Sequence, residues 1–253
     1  MSMHEINNKF SINIPFTTYF SIIRQIKIIC KNVDESKTYG PCIPNFLSLI
    51  MADIKGSKRI YNRLNTSGGK FKNEIKWENT LNLSNFSNKY WQRHYIIPFK
   101  VTNDTKLQWL QYRIFHRILA TNSYLLKINY IDSELCTFCN TESETIIHLF
   151  WECQYVHIIW VEFIRWVNTR SRRNLSLCEK DAILGICEAS DIINLLIILL
   201  KSYVYQYRMK KSIPTYNGFI TYVKEYQKVE KILYCKKNQV QKFEYRWKDF
   251  MIV

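Results

Sequence analysis

Between Cys136 and Cys153 the sequence reads CTFCNTESETIIHLFWEC, three cysteines and one histidine at the spacing C-x2-C-x8-H-x4-C. A turn bracketed by two cysteines is the common way for a short loop to present a first pair of soft ligands, and zinc takes four such ligands tetrahedrally. A second histidine, His157, follows Cys153 by four positions. His148 and Cys153 are five apart, about 140° around an ideal helix. They reach one ion only if the chain kinks or loosens between Phe150 and Glu152. The alternative set Cys136, Cys139, Cys153 and His157 needs no kink, because residues four apart share a helix face. Spacing alone leaves the two sets level.

Six glycines and five prolines in 253 residues supply little turn chemistry for an all-β sandwich. The expected fold is mainly α, helical bundle segments around a small Cys3His knuckle with few or no strands. With 47% hydrophobic and 15% aromatic residues the chain can bury a core, which excludes a disordered tail. A net charge of +15 calls for an anionic partner, and nucleic acid, RNA or DNA, is the first candidate. The chain opens MSMHEINNKFSINIPF, without a basic segment leading into an apolar one. We therefore expect an intracellular protein of the cytoplasm or nucleus, not secreted, whose thiols stay reduced and available to a metal. The greasiest run, Ile192 to Leu200, is interrupted by Asn194 and is too short for a bilayer, so it reads as a buried helix and no membrane is expected.

Along the chain, IIRQIKII (Ile22 to Ile29) reads as a short strand or helix, and Phe46, Leu49, Ile50 and Ile54 fall at helical spacing. From Lys55 to Lys76 seven basic residues face one acid, with Tyr61 and Phe71 interleaved and Ser67-Gly68-Gly69 as the flexible point. Such a loop suits a phosphate backbone. Thr105 and Gln108 make a capping-box pair for a helix whose apolar stripe is Leu107, Leu110, Ile114 and Ile118. Lys106, Arg113 and Arg117 fall within about 40° on an adjoining stripe. Ala120 to Ser123 ends that helix and caps a short one, Tyr124 to Ile128. Val156, Trp160, Phe163, Ile164 and Val167 mark a helix after the knuckle, expected to lie on the first and floor the metal site. Asn168 to Asn174, with Arg170, Arg172 and Arg173, reads as a basic linker. Two apolar helices parted near Ala189-Ser190 follow. Pro214 and Gly218 punctuate a turn, and Phe219 to Phe250 forms a long amphipathic stretch whose apolar side includes Val229, Ile232 and Leu233. The last segment, from Lys201, carries twelve basic and four acidic residues.

The runs LQWLQYRIFHRILATNSYLLKI and CTFCNTESETIIHLFWECQYVHIIW closely resemble the zinc-binding segment that follows the polymerase region in reverse transcriptases of non-LTR retrotransposons, the long interspersed elements. The features that carry it are the aromatic-Gln-x-Arg-Ile helix with His116 to Leu119, the Thr121-Asn122 turn, the Cys-x-x-Cys pair, Glu144-Thr145 before His148, Leu149-Phe150-Trp151, Cys153 and Trp160. They cover roughly residues 100 to 165, with weaker similarity in KGSKRIYNRL, KWENTL and LLIILLKSYVYQYRMKK. The resemblance implies that Cys136, Cys139, His148 and Cys153 hold one structural Zn2+, since the position of His157 is variable in that family. It also implies that the segment binds nucleic acid, template RNA or target DNA, for a polymerase. The organisation it suggests is a partly helical connecting region over 1–100, the zinc-binding domain over 101–168 and a basic helical region over 169–253.

A reverse transcriptase needs paired carboxylates to hold two magnesium ions at the primer end. No Asp-Asp pair occurs in this sequence, and the acids and histidines of the associated endonuclease are missing too. We expect a detached C-terminal portion of such an enzyme, without polymerase activity and with no catalytic residue. The expected nucleic-acid contacts are Lys106, Arg113, Arg117, Arg170, Arg172 and Arg173. The competing expectations are a helical protein-interaction module that zinc merely staples, or a decayed transposon remnant without function. A catalytic zinc is disfavoured because four protein ligands leave no open position for water.

Overall fold

The computed structural model describes residues 72–83, 86–172 and 174–252. All of them belong to the second of two compact units, Gly69–Val253. The expectations for Ile22 to Ile29, for the Phe46 helix and for the basic segment up to Phe71 lie outside the described residues.

Among the described residues nine α-helices and one π-helical turn follow in order: α1 Lys72–Thr80, α2 Asn88–Val101, α3 Thr105–Phe115, α4 Asn122–Lys127, the π-turn His148–Glu152, α5 Gln154–Ser171, α6 Glu179–Leu184, α7 Asp191–Met209, α8 Tyr216–Lys236 and α9 Val240–Trp247. Among the described residues there is no strand, and the only β feature is an isolated antiparallel bridge between Leu135 and Ser143. The mainly α expectation holds. Lys72 and Lys76, assigned above to a basic loop, sit on α1 instead.

The fold is built around α7. Every residue from Ile193 to Lys201 is buried, and α7 packs on α2, α3, α8 and the π-turn. A helix apolar on all sides is a core helix, and no described helix is long and apolar enough to cross a membrane. Asn194, the interruption in its greasy run, donates to Ile186 O (2.7 Å) and accepts from Ile186 N (2.9 Å). It thereby clasps the loop from α6 with both ends of its amide. Gly185 in that loop takes φ 87°, and a Cβ there would meet Asn194 Oδ1 at 3.0 Å. One contiguous core runs from Trp77 to Phe250, drawing on residues on both sides of positions 100 and 168.

Several elements differ from the sequence expectation for local physical reasons. Helix α3 stops at Phe115, not near Ala120, because the Trp77 indole takes the Phe115 carbonyl (2.9 Å) and Arg117 enters the left-handed region at φ 55°. Its N-cap is Asp104, which accepts from Lys106 N (2.8 Å), while Gln108 reaches back to Thr102 O (2.7 Å). Helix α5 packs chiefly on the π-turn and α8, whereas α3 lies on α2 and α7, so α5 does not rest on α3 as expected. It also runs through Ser171, turning the first half of the presumed linker into helix. Gly218 lies inside α8, where its N–H donates to the N-cap Thr215 Oγ1. A Cβ at Gly218 would stand 2.2 Å from Tyr203 Oη, a hydroxyl pinned by Thr215 O and N.

Candidate metal centre

Backbone hydrogen bonds shape the Cys-x-x-Cys turn. Cys136 N donates to Glu142 O (2.8 Å) and Asn140 N to Cys136 O (2.9 Å). Asn140 completes the reversal at φ 55°, a left-handed position that asparagine tolerates. On the far side, Thr145 starts the next helical turn: its hydroxyl accepts from His148 N (3.0 Å) and its carbonyl from Leu149 N (2.9 Å).

The loosening required of a His148 ligand is present as the π-turn. Cys153 N donates five residues back to His148 O (2.9 Å), and Cys153 itself leaves the helical region at φ −55°, ψ 124°. A π-bulge widens the turn and brings the two side chains to the same point. Phe150 O is satisfied by the Trp160 indole (2.5 Å), so the break in the helix leaves no orphan carbonyl there.

One ligand atom from each of Cys136, Cys139, His148 and Cys153 lies within 4.8 Å of the others. Cys136 Sγ to Cys153 Sγ is 3.9 Å and Cys139 Sγ to His148 Nε2 is 3.4 Å. Zn–S bonds of about 2.3 Å and Zn–N bonds of about 2.0 Å give tetrahedral edges of about 3.8 Å and 3.5 Å, so this donor set fits a zinc ion. His157 is not among them. It is exposed, lies edge-on to Trp151 (5.5 Å), and belongs to the outer face of α5.

The electrostatics favour charge on two of the three sulfurs. Cys153 caps α5, and its thiol is pushed down by the hydrogen bond from Cys136 and, against burial, by the backbone N–H groups of Tyr155 and Val156. Burial acts to raise Cys139, but the Thr141 hydroxyl (3.2 Å), nearby N–H groups and His148 together hold it below the usual thiol range. Cys136 is pushed up, because its hydrogen bond to Cys153 and its burial both favour the protonated form. His148 is raised in spite of burial, by its bond to Cys139 and the neighbouring sulfurs. Binding a divalent ion there would require the thiols as thiolates and the imidazole neutral, so uptake would release protons.

Behind the ligands sits a fixed carboxylate that spacing did not single out as chemistry. Glu144, fully buried, accepts from Thr137 N in the cysteine turn (2.8 Å), from Asn122 N at the start of α4 (3.0 Å) and from Arg208 Nε on α7 (2.9 Å). Arg208 also donates to Asn122 Oδ1 (2.8 Å). One ion pair thus ties the loop to the central helix. A buried acid sixty-four positions from its arginine leaves no local sequence signal.

The cationic residues expected to touch nucleic acid are divided. Lys106 is exposed on α3, and Arg113 is partly covered, its guanidinium 5.6 Å from the Tyr205 ring. Arg117 leaves their stripe, since α3 has ended. It lies 4.3 Å over Trp77 and donates to Thr80 Oγ1 (2.9 Å) and Lys76 O, closing the end of α1. Arg170 and Arg172 are exposed at the end of α5, and Arg173 lies outside the described residues.

Residues 57–160 match the family described as zinc-binding in reverse transcriptase. The match over these residues is consistent with a reverse-transcriptase zinc-binding region, as the resemblance implied. It spans less than half of the chain and contains all four clustered residues, Glu144 and Trp160. A comparison with curated proteins found no match.

Proposed function

We propose that this chain acts as a zinc-stabilised nucleic-acid-binding portion of a non-LTR retrotransposon reverse transcriptase. In this reading one Zn2+, held by Cys136, Cys139, His148 and Cys153, supplies structure and no chemistry. The cationic surface, with Lys106, Arg113, Arg170 and Arg172 as its best-placed members, grips RNA or DNA backbone. The chain itself performs no polymerisation. The observation that carries the reading is the Cys3His cluster at tetrahedral spacing inside the reverse-transcriptase zinc-binding region. The surplus of fifteen positive charges supports the anionic partner. Titrating labelled RNA and DNA against the purified zinc-loaded chain tests it. Affinity should fall steeply and log-linearly with salt, because each neutralised phosphate releases counterions. A flat salt response, or primer extension that co-purifies with the chain, would refute it.

A second reading, a protein-interaction module with a purely structural zinc, is favoured by one observation. Val229, Ile232 and Leu233 on α8 remain exposed, although the sequence placed them on an apolar face. Gel filtration with and without a candidate partner separates the two, because the first reading needs no protein to retain RNA.

A further inference from the structure

Helix α3 buries Leu107, Leu110, Gln111, Ile114 and Phe115 and turns a chemically different face outward. At 100° per residue, Tyr112, Trp109, Arg113 and Lys106 follow one another around about 120° of the wheel. Trp109 and Tyr112 are stacked, with centroids 4.9 Å apart and planes within 6°. Tyr112 continues to His116 at 4.2 Å, and His116 to Tyr95 at 6.4 Å with planes 12° apart. Trp109 is 56% exposed, whereas the other six tryptophans are buried or half-buried, all seven lying in the described residues.

An exposed indole has a cost that the fold does not recover by packing. The apolar stripe of α3 is complete without Trp109. Flanking this step are Lys106 and Arg113, neither of which forms an ion pair among the described residues, and the Arg113 Nε is buried without a hydrogen-bond partner. Flat rings side by side with uncompensated cations are the two components of a single-strand site: aromatic faces take up unpaired bases and the cations follow the phosphates. A protein partner would be matched by acidic groups, but it would leave the parallel rings unexplained. A duplex keeps its bases stacked on one another and offers none to Trp109.

We propose that Trp109 and Tyr112 form a stacking platform for unpaired bases of single-stranded nucleic acid, with Lys106 and Arg113 seating the adjoining phosphates. This rests on the nucleic-acid reading above and refines it from a charged surface to a base-contacting one. The test uses the full zinc-loaded chain with three probes: a short oligouridylate, an abasic oligonucleotide of equal length and charge, and a duplex. Affinity is read by anisotropy, and tryptophan fluorescence is recorded in parallel. Oligouridylate should quench the exposed indole and bind more tightly than the abasic strand. Trp109→Ala should abolish that quenching and weaken oligouridylate by about tenfold, while abasic binding stays unchanged. Trp109→Phe should recover part of the loss, and Lys106→Ala should weaken both single strands alike. Equal affinity for oligouridylate and abasic strand, unaltered by Trp109→Ala, would overturn the platform and leave the nucleic-acid function standing. A preference for duplex, or quenching that persists in Trp109→Ala, would also overturn it. Failure of the wild-type chain to hold any of the three would remove the nucleic-acid function and the platform together.

Discussion

The loop from Glu134 to Cys153 and the helix α7 hold their shapes by opposite means. Along α7, Ile193 to Leu200 are buried without a break, and the helix is fixed chiefly by apolar surface, with Asn194 the one polar member of that run. Burial of that kind is non-directional, and each side chain is one of many. In the loop, shape depends on single directed bonds: Cys136 N to Glu142 O, His148 N to Thr145 Oγ1, three donors on Glu144. Its sulfurs and imidazole converge on a point that only a cation can satisfy fully. The body should therefore tolerate the loss of the ion, and the loop should not.

The largest effect that separates the two regions is removal of a ligand. Cys136→Ser should lower zinc affinity by more than about 100-fold, since changes even to partners behind the ligands cost about 10–100-fold. Helical circular dichroism should nonetheless persist, and protease cleavage should concentrate between residues 134 and 153. Loss of all helicity on chelation would show that the body depends on the loop, and would break the contrast.

Arg208→Ala comes next. It strips the arginine from a fully buried carboxylate at 2.9 Å, an uncompensated charge that should cost about 3 kcal/mol in urea unfolding. Gly218→Ala follows, at about 1–3 kcal/mol, because the new methyl would overlap Tyr203 Oη, which two hydrogen bonds prevent from swinging away. Both residues lie outside the loop, yet only Arg208→Ala should also loosen the metal centre.

An effect of a different kind belongs to the body and to pH. Burial pushes His94 down to about 4 and Lys201 down to about 7. Between about 4 and the ordinary histidine value of about 6.5, and between about 7 and the ordinary lysine value of about 10.4, the unfolded chain binds more protons. Stability should rise with pH across both windows and fall as acid enters them. Lys201 donates to Gln111 Oε1 (2.6 Å) and Ile183 O (2.9 Å), bonds that its neutral amine retains. Lys201→Met should erase the alkaline rise in urea midpoints, and an unchanged rise in that variant would exclude Lys201 as its source.

Much of this was legible in the sequence, and the gaps have common causes. The apolar period placed α5 and α7, and the five-residue step from His148 to Cys153 called for a loosened helix if His148 is the ligand, while spacing alone left His157 open. The end of α3 was not legible, because the stripe continues to Ile118 while the stop comes from Trp77 and Arg117 acting across thirty-eight and thirty-seven positions. The same holds for Glu144 and Arg208. Val229, Ile232 and Leu233 show the converse limit: the buried stripe of α8 runs on through the polar Gln227 and Glu230, and these apolar residues stay exposed beside it.

The shared point of convergence is tested most directly by X-ray absorption at the zinc edge of the purified chain, beside His148→Ala and His157→Ala. One zinc per chain with three sulfur neighbours at about 2.3 Å and one nitrogen at about 2.0 Å is the predicted result, lost or altered in His148→Ala and unchanged in His157→Ala. A wild-type spectrum that survives His148→Ala but changes in His157→Ala would contradict it.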